Sequence, residues 1–281
     1  MQIVPLTEHT GADILDVDVK TLTDEQFERI YKTWLDRCVI RFRDQQLDVD
    51  DLQRFSARLG PLEPMPQYDR MSEEARARFP NKYVTVISNI KVDGRPIGGL
   101  GNLEASWHSD MTYNPVAPTA SVLLGVEIPA SGGDTWFANE FAAYEALPAA
   151  LKQRVAGLTI KHDASHNSVG ELRPTYAQPA SPVDAPGAVH PIVKPHPETG
   201  RKALFLGRRD WAYIPGLPLE DSERLLDEIW AYAAPEQFVW RQQWRVGDLI
   251  VWDNRSALHR RDDFDGSQRR LMRRCQVLAR T

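Results

Sequence analysis

The sequence predicts a mainly β fold, a sandwich or jelly roll with helices packed on its outside, and three observations carry that expectation. Beyond residue 60 the chain is dominated by β-branched or aromatic runs bounded by turn residues: "YVTVISNI", "TASVLLGVEI", "LTIKHDA", "KALFLG", "EQFVWRQQW", "DLIVWDN" and "LMRRCQVLA". Helical stretches between them are few, which argues against a doubly wound parallel sheet, where strands need crossover helices. At 281 residues, with 42% hydrophobic and 9% aromatic side chains, the chain has enough apolar material for one sizeable core. No internal repeat, heptad or clear linker divides it, so residues 1–281 are expected to form one domain.

The helices announce themselves by periodicity. "LTDEQFERIYKTWLDR" opens with a capping box, Thr23 to Gln26, and then sets Phe27, Ile30, Tyr31 and Trp34 on one face. A short strand, "CVIRFR", follows. "DVDDLQRFSARLG" carries Leu52, Phe55 and Leu59 on a helical stripe that stops at Gly60, a natural C-cap residue. Among the later strands, "NEFAAYEALPAALKQRVAG" reads as two short helices divided at Pro148. "LEDSERLLDEIWAYAA" reads as one amphipathic helix through Leu225, Leu226, Ile229 and Trp230. Residues 167–190 contain Pro174, Pro179, Pro182 and Pro186 and are too long for an ordinary connection; we expect an active-site lid there.

Charge and composition exclude several partners. The net charge of -5 arises from 34 basic and 39 acidic residues mixed along the chain, a poor match for nucleic acid. The start has no cationic flank with an apolar stretch, and no run approaches the roughly 18 apolar residues of a membrane helix. A soluble cytoplasmic protein with no membrane partner is expected, as a homo-oligomer acting on a small molecule. Cys38 and Cys275 fit no disulfide framework or Cys-x-x-Cys motif and read as reduced, small apolar residues.

The chemistry centres on "WHSDMTYN". On a strand, residues i and i+2 point the same way, so His108 and Asp110 can share one metal ion. The spacing alone is weak: with 7 histidines and 39 acidic residues it should arise about once by chance. A second copy, His196 and Glu198, lies in the Pro-Gly turn "HPETG" and reads as a hairpin feature. A third ligand is available in His259, from "VWDNRSALHRRDDF" just after a predicted strand. Two histidines and a carboxylate on one face of an octahedron leave three positions open, as in non-haem Fe(II) oxygenases, and the absence of thiolate speaks against structural zinc. In "DGSQRRLMRRCQV", read as a strand, Arg270, Met272 and Arg274 share a face. Two guanidiniums looking into a jelly-roll interior require an anion, and the arginine fork matches a carboxylate or sulfonate.

Taken together, His108-x-Asp110, Thr135 in "SGGDTWFAN", "WDNRSALH" with His259, and Arg270 and Arg274 at offsets of 11 and 15 resemble the taurine and 2,4-dichlorophenoxyacetate dioxygenase (TauD/TfdA) family. The resemblance runs from "GADILDVDV" to the arginine strand. It implies a double-stranded β-helix (a cupin-like jelly roll) using Fe(II), 2-oxoglutarate as cosubstrate and O2. His108, Asp110 and His259 would be the iron ligands. Arg270, with Thr135 assisting, would hold the distal carboxylate of 2-oxoglutarate, and Arg274 would anchor an acidic substrate; both arginines count as catalytic. Hydroxylation with release of succinate and CO2 is the implied reaction.

The substrate pocket departs from the taurine pattern. Met65 stands where taurine-specific members carry a histidine, while Tyr68 is retained. Trp211 and Tyr213 offer surfaces for a ring, and Asp210 offers a partner for an amine. Substrate-binding roles are therefore expected for Arg274, Tyr68, Met65 and Trp211, with an aryloxyalkanoate-like carboxylate favoured over taurine and a sulfonate or aminated acid as the alternative. A zinc-dependent hydrolase or a non-catalytic jelly-roll binding protein are readings of other classes, but the first has no need for two inward arginines and the second would keep the strands without all three ligands. His166 and His190 read as polar loop or strand residues, Arg269 and Arg273 as solvated charges, and Trp107 as packing that shields the site.

Overall fold

The computed structural model describes residues 1–65, 68–73, 76 and 81–280. The principal strands are β1 (Gln2–Pro5), β2 (Ala12–Leu15), β3 (Val39–Phe42), β4 (Thr85–Ser88), β5 (Gly99–Leu100), β6 (Ala105–His108), β7 (Ala120–Glu127), β8 (Thr135–Asn139), β9 (Val239–Gln242), β10 (Leu249–Asp253), β11 (Ala257–Arg261) and β12 (Leu271–Val277). They form an eight-stranded sheet in the order β1-β2-β3-β10-β7-β12-β4-β5 and a four-stranded sheet in the order β9-β8-β11-β6. Neighbours in sequence such as β10 and β11 sit in different sheets, so the chain winds between the two layers as a double-stranded β-helix requires. Ile87, Leu123 and Met272 of the large sheet and Phe137 and Trp240 of the small one share one buried cluster, which places a core between the sheets.

Helices cover the outer faces. Helix α1 (Asp24–Arg37) starts as its sequence predicts, with both hydrogen bonds of the Thr23–Gln26 capping box present. Its end differs from expectation in detail: Cys38 does not open the strand but caps the helix with a left-handed backbone, φ 64°, its N–H donating to the Trp34 carbonyl. Helix α2 (Val49–Leu59) ends at Gly60, whose φ of 163° is extended rather than left-handed. The glycine leaves room for a close approach there, since a Cβ would lie 3.0 Å from the Leu278 carbonyl oxygen, a tight contact. Trp34, Phe55 and Leu52 of these helices pack on Val122, Val251 and Val277 of the large sheet. Helices α3 (Glu140–Ala146), α4 (Ala149–Val155) and α5 (Leu219–Ala233) form a second cluster with Ala138 and Leu258 of the small sheet. Pro148 separates α3 from α4 at the predicted place, as the residue preceding α4. No helix among the described residues is long and apolar enough to cross a membrane.

Candidate metal centre and binding chambers

The small sheet brings the two histidines together. Pairing of β6 with β11 sets His108 directly opposite His259, with ring centroids 4.1 Å apart. Asp110 follows immediately after β6, and its Oδ1 lies 3.8 Å from Nε2 of His108 and 3.9 Å from Nε2 of His259. These ligand atoms all lie within 4.8 Å of one another, a metal-binding triad of two imidazoles and a carboxylate. The surroundings orient each ligand. Nδ1 of His108 is 2.7 Å from the Ser106 carbonyl oxygen, which makes Nδ1 the protonated nitrogen and leaves the Nε2 lone pair facing its partners. Oδ2 of Asp110 accepts from Ser121 Oγ at 2.7 Å and Gln276 Nε2 at 3.1 Å, while Arg274 Nη1 stands 3.3 Å from Oδ1.

Protonation states also suit a metal. Burial pushes His259 down to about 3, the neighbouring His108 adding to the effect, and burial likewise lowers His108. For Asp110 burial works in the opposite direction, but the Arg274 guanidinium and the two imidazoles outweigh it and hold the carboxyl below its usual range. Neutral imidazoles and an ionised carboxylate are the forms that coordinate a divalent ion.

Behind the triad lies an inner slot of about 70 Å³, lined by His108, Asp110, His259, Thr135, Arg261 and Arg270 among others. Arg270 is 2% exposed and its Nε has no partner among the described residues. Burial, with Arg261 close by, pushes Arg270 down to about 9, against the pull of Asp134. Thr135 accepts a hydrogen bond from Trp244 Nε1 at 2.9 Å, so its own O–H is available to donate into the slot. The preceding glycines let the backbone pass Arg270. Gly132 and Gly133 have φ of 75° and 68°, a Cβ on Gly132 would lie 2.7 Å from the Asp263 carbonyl oxygen, and one on Gly133 would lie 3.3 Å from Arg270 Nε.

In front of the triad an outer chamber of about 380 Å³ shares His108, Asp110 and Arg274 with the slot. Met65, Tyr83 and Tyr113 line its wall beside Glu63, Arg173 and Arg208. The inward face expected of the last strand holds, since Arg270 and Arg274 meet the two cavities and Met272 is buried between the sheets. Two expected pocket residues are placed elsewhere. Trp211 does not line the chamber; it stacks on His166 at 4.8 Å with its ring nearly parallel. Tyr68 sits in a short 3-10 turn, Tyr68–Arg70, outside the chamber wall. Asp210 is exposed, and the Tyr213 hydroxyl donates to the Leu217 carbonyl.

The remaining polar residues have structural partners. Buried His196 bonds Asp253 at 3.0 Å, and Glu198 pairs with Arg255, so that His-x-Glu copy ties a turn to β10. Nε2 of His190 is 2.7 Å from the Thr112 carbonyl oxygen, His166 bonds Asp163 at 2.8 Å, and exposed Arg269 pairs with Glu127. Trp107 packs at the edge of the α3–α5 cluster. Residues 167–190 contribute Asn167, Ser168 and Arg173 to the chamber, and Arg173 donates to the Tyr113 hydroxyl at 2.6 Å. Arg261, Glu63 and Tyr113 are site residues that sequence reasoning missed. The signal for Arg261 was its i+2 position from His259; nothing comparable marked the other two.

A double-stranded β-helix that brings a His-x-Asp pair and a distant histidine together has the ligand set of a non-haem Fe(II) oxygenase. The chain belongs to the Taurine catabolism dioxygenase TauD, TfdA family, which it matches over residues 2–276. It is 34% identical to an alpha-ketoglutarate-dependent 2,4-dichlorophenoxyacetate dioxygenase of Cupriavidus pinatubonensis, covering 98% of this chain and 96% of the relative. It is 33% identical to an (S)-phenoxypropionate/alpha-ketoglutarate-dioxygenase of Sphingobium herbicidovorans, covering 96% and 92%. Among solved structures, AAD-2 in complex with Mn(II) and N-oxalylglycine superposes with a TM-score of 0.80 at 26% identity over 100% of this chain and 98% of that one. The protein is thus a dioxygenase that uses Fe(II), 2-oxoglutarate and O2, rather than a zinc hydrolase or a non-catalytic jelly roll.

Proposed function

We propose that the enzyme hydroxylates a small anionic substrate of the aryloxyalkanoate kind in preference to taurine. When bound, Fe(II) with 2-oxoglutarate and O2 supplies the oxidation, giving succinate and CO2 as one oxygen atom goes to the substrate. The chain's part is to hold and orient. His108, Asp110 and His259 would hold the metal through Nε2, carboxylate oxygen and Nε2. Arg270 and the Thr135 hydroxyl would take the distal carboxylate of 2-oxoglutarate in the inner slot, where a buried guanidinium otherwise lacks an anion. Arg274 would anchor the substrate's carboxylate in the outer chamber, so that a substrate carbon rather than the acid group faces the metal.

The observation that carries this reading is the outer wall: the Arg274 guanidinium, 3.3 Å from Asp110, in a chamber that Met65, Tyr83 and Tyr113 also line. Thioether and aromatic surfaces suit a ring better than they suit a two-carbon zwitterion. The similarity to two aryloxyalkanoate oxygenases supports it. Glu63 favours a second reading, an aminated acid, because its carboxyl lies on the same wall near Arg274, although burial raises its pKa. Succinate release with phenoxyacetate, taurine and a panel of amino acids, at fixed Fe(II) and 2-oxoglutarate, separates these. Phenoxyacetate should be turned over fastest; faster turnover of taurine than of every aromatic acid overturns the proposal, and an amino acid in first place transfers it to the Glu63 reading.

A further inference from the structure

The inner slot contains a second buried arginine. Alternation along β11 puts Arg261 on the same side of the strand as His259, and the register with β8 sets it opposite Thr135. Arg261 is 6% exposed and shares the slot with Arg270 and Thr135. Both guanidiniums stand 5.9 Å from the Phe264 ring centroid. Nearby acids are engaged elsewhere: Asp134 pairs with Arg241 at 2.8 Å, and Asp262 pairs with Arg260 at 2.6 Å while accepting from Trp136. Arg261 donates from Nη2 to the carbonyls of Leu100 and Leu103, and its Nε, like that of Arg270, has no partner among the described residues. Two like charges in one buried slot, neither hydrogen-bonded to an acid, make a poor structural motif, since each raises the cost of burying the other. They make a good receptor for one planar carboxylate, which has acceptor sites enough for two forks.

We propose that Arg261 is a second anchor for the distal carboxylate of 2-oxoglutarate, forming with Arg270 a paired guanidinium clamp. The inference rests on the assignment of Arg270 to that carboxylate. Because Arg261 also holds the carbonyl of Leu100, a residue on the wall of both cavities, the clamp ties cosubstrate seating to the shape of the outer chamber. The rival role is a tether for the segment around Leu100 and Leu103 that never touches cosubstrate.

Calorimetric titration of Mn(II)-loaded protein distinguishes the two, using 2-oxoglutarate and 2-oxopentanoate, which has a methyl group in place of the distal carboxylate. Arg261→Met should weaken 2-oxoglutarate by about tenfold to hundredfold, the loss expected of a charge-assisted hydrogen bond, and 2-oxopentanoate by less than about threefold. Arg261→Lys, which keeps the charge but not the fork and guards against a misfolded methionine variant, should show the same selectivity with a smaller loss. Equal weakening of both ligands would mean a tether and overturn the inference. Unchanged 2-oxoglutarate affinity in the Arg261 variants, with a selective loss in Arg270→Met, would overturn it while leaving the slot assignment standing. Unchanged affinity in all the variants would remove both.

Discussion

Glu140 shows how a single side chain can charge the fold for its position. It is 1% exposed at the first turn of α3, neither carboxyl oxygen has a partner among the described residues, and burial raises its pKa well above 4.5. Above pH 4.5 the unfolded chain releases this proton while the folded chain keeps it. Stability contributed by the group must then fall as pH rises through that window. Glu140→Gln removes the titration, so the variant's melting temperature should gain on the wild type as pH rises above 4.5, whatever constant offset the amide introduces. Parallel curves would show that the carboxyl is ionised in the fold. At this scale the sequence was most informative where residue type and spacing carry chemistry together: His108, Asp110, His259, Thr135, Arg270 and Arg274 all line the inner slot, and His108, Asp110 and Arg274 the outer chamber as well. It was least informative for Trp211 and Tyr68, whose placement depends on loop paths that no periodicity encodes.

Elements differed in legibility for a physical reason. The amphipathic helices repeat a burial pattern over several turns, so α1, α2 and α5 were readable almost to their ends. Strand β11, "ALHRR", was not, because a metal ligand and two arginines replace the apolar alternation that marks a strand. Function overwrote the signal there, and Arg261 was missed with it. The segment 167–190 shows the converse: its prolines were legible, and its fastenings were not. Arg173 donates to the Tyr113 hydroxyl, the Ala188 N–H to the Tyr113 carbonyl, and Lys161 Nζ to the Val183 carbonyl. We expect this segment to act as a lid latched at Tyr113. Limited proteolysis within 167–190 should slow when metal, 2-oxoglutarate and substrate are present. Tyr113→Phe, which deletes a hydrogen bond worth about 1 kcal/mol, should speed cleavage of the ligand-free protein by about fivefold. Cleavage that is indifferent to ligands would make the segment a plain connection.

At the scale of the whole molecule, the site is a joint between the sheets. His108 and His259 come from the small sheet, while the residues that hold Asp110 in place, Ser121, Arg274 and Gln276, come from β7 and β12 of the large one. A metal ion at this joint should therefore stabilise the entire sandwich. Mn(II) at a hundredfold excess over its Kd should add about 2.7 kcal/mol and raise the melting temperature, and His108→Ala should melt cooperatively but lose both this shift and all oxidative turnover. A full metal shift in the variant would contradict the ligand set.

The most direct measurement of the two-chamber account is a paired titration of Arg270→Ala and Arg274→Ala, following succinate against 2-oxoglutarate and against the best anionic substrate. Arg270→Ala should raise the 2-oxoglutarate requirement steeply, by the equivalent of on the order of 2 to 5 kcal/mol for a truncated buried charge pair. Arg274→Ala, measured at saturating metal because Arg274 also supports Asp110, should weaken the substrate while the 2-oxoglutarate concentration needed for uncoupled turnover stays largely unchanged. Identical defects in both variants would contradict the division between an inner cosubstrate slot and an outer substrate chamber.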